Sequence, residues 1–283
     1  MDNLKAKKRH PEEIAVYSAI YVCAAFSVLL LLGIIVYVFA KGARRVNWAF
    51  LTGVTSILHG TVGIAGNILN TLIIILLTMI ITTPIGVGAA IYLNEYAKPG
   101  KLVTVIIFAT ETLAGIPSII FGLFGMLFFG QLCHMGYSLL TGSLTLTLMV
   151  LPLVTRNTQE ALKTVPDSFR TGAVGLGAGK WYTIRTILLP SAMPGIVTGV
   201  ILAIGRIIGE SAALLFTAGS AHLLPKTFDA FLEKIFHSGG TLTIQLYLSA
   251  SKGEFEVAFG IAVVLLVIVL LINFGTKRLA KKL

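Results

Sequence analysis

Hydrophobic residues are concentrated in six long runs, and shorter polar segments separate one run from the next. The runs cover residues 14–40, 66–92, 102–129, 137–155, 194–217 and 257–274. A helix needs about 20 consecutive apolar residues to cross the hydrocarbon core of a bilayer, and each run is close to that length or longer. We therefore predict an all-α, polytopic membrane helix bundle with six transmembrane helices.

The composition supports the same class of protein. Of the 283 residues, 56% are hydrophobic and only 12% are charged, whereas a soluble domain has about 25% charged residues. The two cysteines lie in or beside the hydrophobic runs, and the five histidines do not have the spacing of metal ligands. We predict a multi-pass membrane protein, with the lipid bilayer as a partner, that binds no metal.

The positive charges give the predicted orientation. Six spans place both termini on one side, and that side carries 15 of the 22 Lys and Arg residues. Because cytoplasmic segments of membrane proteins are enriched in Lys and Arg, we expect both termini and the loop 156–193 in the cytoplasm and the loop 218–256 outside. Residues 1–13 are predicted to be a cytoplasmic arm, and residues 14–283 the six-span domain. The same distribution argues against nucleic acid as a partner of this basic chain.

Two prolines interrupt hydrophobic runs. Pro84 lies in the second run and Pro117 in the third. Proline removes a backbone donor and bends a helix, so we predict kinks at both positions and regard them as candidate hinges. In the loop 218–256, apolar residues at helical spacing from Phe228 to Phe236 predict a short amphipathic helix.

Three ionisable residues lie deep in the hydrophobic runs, namely Glu111, Arg206 and Glu210. A charge at the centre of a bilayer costs at least about 2.5–3.5 kcal/mol, so such residues usually face a cavity or a partner. Arg206 and Glu210 are four positions apart, and on one helix their side chains could meet. One interpretation is that the pair only holds the bundle together. The other is that Arg206 offers a planar cationic fork to an oxyanion, with Glu210 orienting it; Glu111 is either a transport residue or a partner for a polar group on another helix.

The loop 156–193 contains a Gly-rich stretch that ends in Gly179-Lys180, but it is not a phosphate-binding loop. A Walker A motif needs Gly at position 174, which is Val, and Ser or Thr at position 181, which is Trp. We therefore predict that the chain is not an enzyme and binds no nucleotide or cofactor. A loop of this length between spans is more often functional than a plain connector.

Part of this loop carries a recognisable motif. Residues 171–190 resemble the EAA loop of ABC-importer permeases, whose pattern is E-A-A, three residues, Gly, nine residues and I-x-L-P. The matching positions are Ala173, Gly177, Ile187, Leu189 and Pro190. Thr171 and Gly172 depart from the pattern, because Glu and Ala are usual there.

Three further stretches resemble the phosphate permeases of type I ABC importers, namely 111–125, 156–166 and 203–217. The last of them is more similar to the PstA branch of this family than to the PstC branch. The resemblance implies a bacterial plasma-membrane protein with the type I permease fold. It also implies a pore shared with a homologous PstC-like permease, a PstB-like ATPase dimer that binds ATP and Mg, and an outer PstS-like phosphate-binding protein.

The resemblance also assigns roles to residues. The segment from Gly177 and Ala178 to Ile187 would be the coupling helix that contacts the ATPase, and the intramembrane charges of the family map onto Arg206 and Glu210. Alternatives remain at this point. The cargo could be another oxyanion or a phosphonate, the chain could be a secondary transporter or channel that needs no ATP, or it could be a membrane scaffold in which Arg206 and Glu210 are purely structural.

Overall fold

The computed structural model describes residues 11–56, 61–225 and 227–280. The helices are α1 (Pro11–Gly42), α2 (Trp48–Thr52), α3 (Ala65–Ile91), α4 (Lys101–Gly115), α5 (Ser118–Gly125), α6 (Leu139–Lys163), α7 (Asp167–Gly175), α8 (Lys180–Thr183), α9 (Leu189–Gly209), α10 (Ala212–Thr217), α11 (Phe228–Glu233), α12 (Leu242–Ser251) and α13 (Phe255–Ala280). The strands β1 (Val54–Ser56) and β2 (Thr61–Ile64) form a small antiparallel sheet. Residues 1–10 of the predicted arm lie outside the described residues. The last three residues of the arm, 11–13, belong to α1.

The described helices confirm a membrane helix bundle. Five helical segments are long and apolar enough to cross a bilayer: Ala15–Arg45, Ala65–Tyr96, Leu139–Lys163, Lys180–Gly209 and Phe255–Arg278. The bent pair α4 and α5, with the π-helical turn that follows α5, is the sixth span if it is counted as one. The cytoplasmic position of both termini stays a prediction.

The predicted third span is not one kinked helix. The chain turns by 104° between α4 and α5. Ile116 has an extended backbone, and Pro117, directly before α5, has no N–H to continue the hydrogen-bond ladder of α4. By contrast, α3 continues without a break through Pro84, so a kink there stays a prediction.

The polar loop predicted at 156–193 is shorter than expected. Helix α6 continues to Lys163 because its buried stripe extends through Ala161 and Leu162 while the charged residues occupy the other face. At the far end, the helix from Lys180 runs into α9 through a π-helical turn, in which the Leu189 N–H donates to the Ile184 carbonyl. This wider turn lets the helix pass into Pro190 without a break.

The loop predicted at 218–256 contains more structure than expected. The amphipathic helix is confirmed as α11, and a 3₁₀ turn over Lys234–Phe236 continues it. Helix α12 was not predicted, and α13 begins at Phe255, two residues before the predicted sixth span.

Two apolar cores hold the helices together. The larger is built mainly on α3, α6, α9 and α13, and its fully buried members include Ile74, Leu146 and Val150. The smaller joins the end of α6 to the start of the helix that leads into α9, through Leu162, Ile184 and other apolar residues. The smaller core includes Ile184 and Leu188 of the EAA-like stretch 171–190 and therefore fixes where that stretch joins the bundle.

Candidate functional site

A cavity of about 230 Å³ opens between α4, α6 and α9. Its charged and amide-bearing lining residues are Glu111, Arg156, Gln159, Glu160, Lys163 and Arg206. A water molecule in the liquid takes roughly 30 Å³, so the cavity has room for a small oxyanion. The structure thus brings Glu111 and Arg206, two of the three predicted pathway residues, to one cavity.

The cavity wall contains two arginines, Arg156 and Arg206. Glu160 and Lys163 pair with each other at 3.0 Å, and both side chains are well exposed. Within the part of the chain that the structure describes, neither Arg156 nor Arg206 forms an ion pair. A guanidinium without a protein partner presents its donors to a ligand, and its fork matches the geometry of an oxyanion.

Arg206 reaches the cavity because α9 is amphipathic. The buried positions in its second half recur at helical spacing: Ala203, Ile204, Ile207 and Ile208. Arg206 lies on the opposite, exposed face together with Gly205 and Gly209. A Cβ added to either glycine would meet no atom within 4 Å, so the space beside the guanidinium is open.

Arg156 was not predicted as a site residue, although the sequence contained a signal for it. It begins the stretch that resembles the phosphate permeases, and Arg156, Glu160 and Lys163 have the i, i+4, i+7 spacing of one helix face. The prediction missed it because the fourth span was ended at residue 155, which placed Arg156 in a loop. In the structure it lies on α6 and faces the same cavity as Arg206.

Glu111 lies on α4, in the wall of this cavity. Glu111 forms no ion pair with any described residue. The alternative prediction, that Glu111 pairs with a polar group on a neighbouring helix, is therefore not supported by an ionic contact. The Glu111 carboxylate adds an acceptor to the cavity, beside those of Gln159 and Glu160. Its role in transport stays a prediction.

The predicted Arg206–Glu210 pair is wrong. Helix α9 ends at Gly209, and Glu210 has an extended backbone, so the two residues are not one turn apart on a continuous helix. The Glu210 Oε1 atom accepts from the N–H of Ala213 at 3.0 Å, and its carbonyl accepts from the Thr243 hydroxyl at 2.9 Å. The carboxylate therefore caps α10, where the free N–H groups favour an anion, and it is not in the cavity lining.

The EAA-like segment ends α7 in a Schellman motif. The N–H of Gly177 donates to the Val174 carbonyl at 2.9 Å, and the N–H of Ala178 donates to the Ala173 carbonyl at 2.9 Å. Gly177 has a φ of +79°, which is strained for residues with a side chain. The glycine of the motif is thus the residue that stops α7 and turns the chain toward α8.

The turn around Gly177 exposes apolar side chains. Leu176 is 91% exposed and Val174 is 66% exposed, and Trp181 and Tyr182 on α8 are also exposed. Exposed apolar patches of this kind mark binding surfaces. This surface agrees with the predicted contact with an ATPase, which stays a prediction.

The other motif positions have different surroundings. Thr171 and Gly172 are exposed, and the Thr171 hydroxyl donates to carbonyls within α7. Ile187 is half-buried, Leu189 packs on the smaller core, and Pro190 is exposed at the start of α9. The second half of the motif therefore anchors the segment to the bundle.

The family comparison decides the class of the protein. Residues 82–283 match the family described as "Binding-protein-dependent transport system inner membrane component". The chain belongs to this family. Since the matched region contains the cavity and the EAA-like segment, this family member is an ABC importer permease subunit of the multi-pass membrane type.

Curated relatives of this permease agree. It is 36% identical over 267 residues to the "Probable ABC transporter permease protein YqgI" of Bacillus subtilis, which covers 91% of each chain. It is 34% identical to the "Phosphate transport system permease protein PstA" of Xylella fastidiosa, over 85% of this chain and 82% of the relative. It is also 34% identical to "Phosphate transport system permease protein PstA 1" of Mycobacterium tuberculosis, over 80% and 69% of the two chains.

Solved structures confirm the type I permease fold. A chain of the bacterial alginate ABC transporter, in complex with its periplasmic protein, matches with a TM-score of 0.68, at 16% identity over 95% of this permease and 96% of that chain. A chain of the MetNI methionine ABC transporter, in an inward-facing conformation, matches with a TM-score of 0.58, at 21% identity over 78% and 94% of the two chains. At these identities the likeness concerns the fold alone.

Proposed function

We propose that this permease subunit imports inorganic phosphate across the plasma membrane of a bacterium. The observation that carries the proposal is the pair of arginines, Arg156 and Arg206, which face one cavity between the spans and have no described ion pair. A cavity with two such cations favours an oxyanion over a neutral or cationic cargo. The relatives named as phosphate transport permeases support phosphate among the oxyanions.

Glu111, which lies in the cavity wall, also favours phosphate as the cargo. Inorganic phosphate keeps at least one proton at neutral pH and can donate a hydrogen bond, whereas sulfate has no proton to donate. Glu111 is an acceptor in the same cavity as the two arginines. An ionised carboxylate accepts hydrogen bonds and repels an anion that offers none, so the combination of the two arginines with the Glu111 carboxylate suits a protonated oxyanion.

The energy for uptake comes from partner subunits in this proposal. A homologous PstC-like permease completes the pore, a PstB-like ATPase dimer binds ATP and Mg, and a PstS-like protein delivers phosphate from outside. The exposed apolar turn around Leu176 would contact the ATPase. Closure of the ATPases on ATP would move this turn, open the spans outward and admit phosphate to the cavity, and hydrolysis would reset them and release phosphate to the cytoplasm.

The test is uptake of labelled phosphate by cells that lack their own high-affinity system. The chain is co-expressed with its candidate partner permease, ATPase and binding protein, and the matched control carries an ATPase that cannot hydrolyse ATP. We expect saturable uptake that the control lacks, and competition by unlabelled phosphate but not by equal sulfate.

The outcomes separate the alternatives. Competition by sulfate or a phosphonate at least as strong as by phosphate would assign the permease to another oxyanion. Uptake that persists with the inactive ATPase would contradict an ATP-driven importer. A complex that assembles and hydrolyses ATP but takes up no phosphate would remove phosphate as the cargo.

A further inference from the structure

Arg170, on α7, contacts three separate parts of the bundle. Its Nη2 atom is 2.9 Å from Glu95 Oε1, in the turn that follows α3. Its Nη2 and Nη1 atoms also donate to the carbonyls of Leu162 and Val165, at 3.1 and 3.0 Å. Nη1 pairs in addition with Asp167 at 2.9 Å. We call these five residues the Arg170 junction.

The junction is well protected on one side. The Glu95 side chain is only 8% exposed and the Arg170 side chain 23%, whereas Asp167 is 92% exposed. The hydrogen bond to Glu95 raises the pKa of Arg170 above its ordinary value, against the opposing effect of burial. Separating Arg170 from Glu95 would leave an almost buried carboxylate without its counter-charge, which is strongly unfavourable. The contact with Glu95 is therefore the strong one, and the contact with Asp167 is a weak surface pair.

The junction also attaches α7 to α6 and to the turn that follows α3. Within α7, all of which the structure describes, Ala173 is the only buried residue. The carbonyl of Leu162 is one of the last four of α6, which have no partner inside the helix. It accepts from the Val165 N–H at 3.4 Å and also from Arg170. A second cation of the segment, Lys180, lies with its Nζ atom 4.7 Å from the ring centre of Tyr96, next to Glu95. Polar contacts, more than apolar packing, therefore hold α7 to α3 and α6.

The junction adjoins the arginine-lined cavity. Leu93, two residues before Glu95, lines that cavity, and so does Lys163, next to Leu162. Arg156 is six residues before Leu162 on α6, which is about 9 Å along the helix axis. A displacement of α7 that is carried through the junction therefore arrives directly at the walls of the cavity.

We propose that Arg170 is the positioning residue that couples this permease to its ATPase, because it ties α7 to α6 and to the turn that follows α3, and both of these contribute residues to the wall of the arginine-lined cavity. This inference rests on the proposed function for the existence of an ATPase partner, but not for the identity of the cargo.

The test uses the complete transporter in proteoliposomes, with Arg170→Met and Glu95→Gln as variants and Asp167→Asn as the matched control. ATP hydrolysis and phosphate uptake are measured on the same samples. We expect both variants to hydrolyse ATP at near the wild-type rate while uptake per ATP falls at least roughly tenfold, the size expected for the loss of a charged hydrogen bond. The control removes only the exposed partner of Arg170 and should keep the wild-type ratio.

A second readout does not depend on the cargo. A single cysteine at Ala114, in the cavity wall, is introduced where Cys23 and Cys133 have been replaced by serine, and a water-soluble thiol reagent is applied with and without vanadate-trapped ATP. With Arg170 intact, the labelling rate should differ between the two states. In Arg170→Met and Glu95→Gln the difference should disappear.

Two results would overturn the inference. The first is evidence for a merely structural role. Such evidence would be that uptake and hydrolysis fall in proportion, or that the variants fail to assemble while Arg170→Lys behaves as the wild type. The other is a nucleotide-dependent labelling difference that survives in both variants. A wild-type complex that takes up no phosphate but keeps the labelling difference would remove phosphate as the cargo and leave the coupling role standing.

Discussion

The arginines of the cavity and the arginine of the junction show opposite uses of the same side chain. Arg206 and Arg156 face a cavity, and neither forms an ion pair with a residue that the structure describes. Arg170 pairs with two carboxylates and donates to two backbone carbonyls. Because a guanidinium has five N–H donors, the first two have donors left for a ligand, whereas most of those of Arg170 are committed to the protein.

The difference teaches how to interpret charges in and near a membrane. An ionisable residue in a span is expensive and is therefore a candidate for function, but its partners decide which function. Glu210 is an acidic example, because its carboxylate accepts a hydrogen bond from the N–H of Ala213. A charge that the protein satisfies holds or transmits structure, and a charge that it leaves unsatisfied is available to cargo.

The strongest test of this comparison is Arg206→Gln. We expect uptake to fall by roughly 100-fold, the upper range for losing charged hydrogen bonds to an anion, while assembly and basal ATP hydrolysis are unchanged. Labelled uptake with expression matched by immunoblot measures the effect. The control is Arg278→Gln, which makes the same chemical change at an arginine near the end of α13, outside the cavity. Uptake that survives Arg206→Gln would reduce Arg206 to a structural role.

A smaller effect is expected for Arg156→Gln. Arg156 shares the cavity with Arg206, so its loss leaves Arg206 in place, and we expect roughly a tenfold loss of uptake. The loss should appear mainly as a higher KM, and the thermal stability of the complex should not change. A kinetic series over phosphate concentration separates KM from the maximal rate. An unchanged KM would mean that only one of the two arginines meets the anion.

The smallest effect on transport is expected at Glu210. Glu210→Gln keeps an oxygen that can accept from the Ala213 N–H, so uptake should remain within about twofold of the wild type. Glu210→Ala removes the cap and should destabilise the subunit by about 1 kcal/mol, measured by thermal unfolding of the detergent-solubilised complex. If Glu210→Gln abolishes uptake while the complex stays stable, the carboxylate acts on the cargo after all.

Sequence reasoning could predict the class of the protein, but not the limits of all its elements. Runs of apolar residues are a direct consequence of the hydrocarbon core that they cross, and the EAA-like pattern predicted which segment would contact an ATPase. The predicted helix boundaries were wrong where a helix continues beyond its apolar run, as α6 does to Lys163. They also failed where one run contains two helices, because a break such as that at Glu210 depends on a cap as well as on hydropathy.

The sequence by itself determined that this is a membrane helix bundle, that Arg206 lies within a span and that residues 171–190 carry an EAA-like motif. Only the tertiary structure decided which charges meet. Arg156 and Arg206 share a cavity because α6 and α9 pack side by side, and Glu95 meets Arg170 across 75 positions of sequence. The physical reason is that helix geometry fixes neighbours only three or four residues apart, whereas contacts between helices depend on how their apolar faces pack.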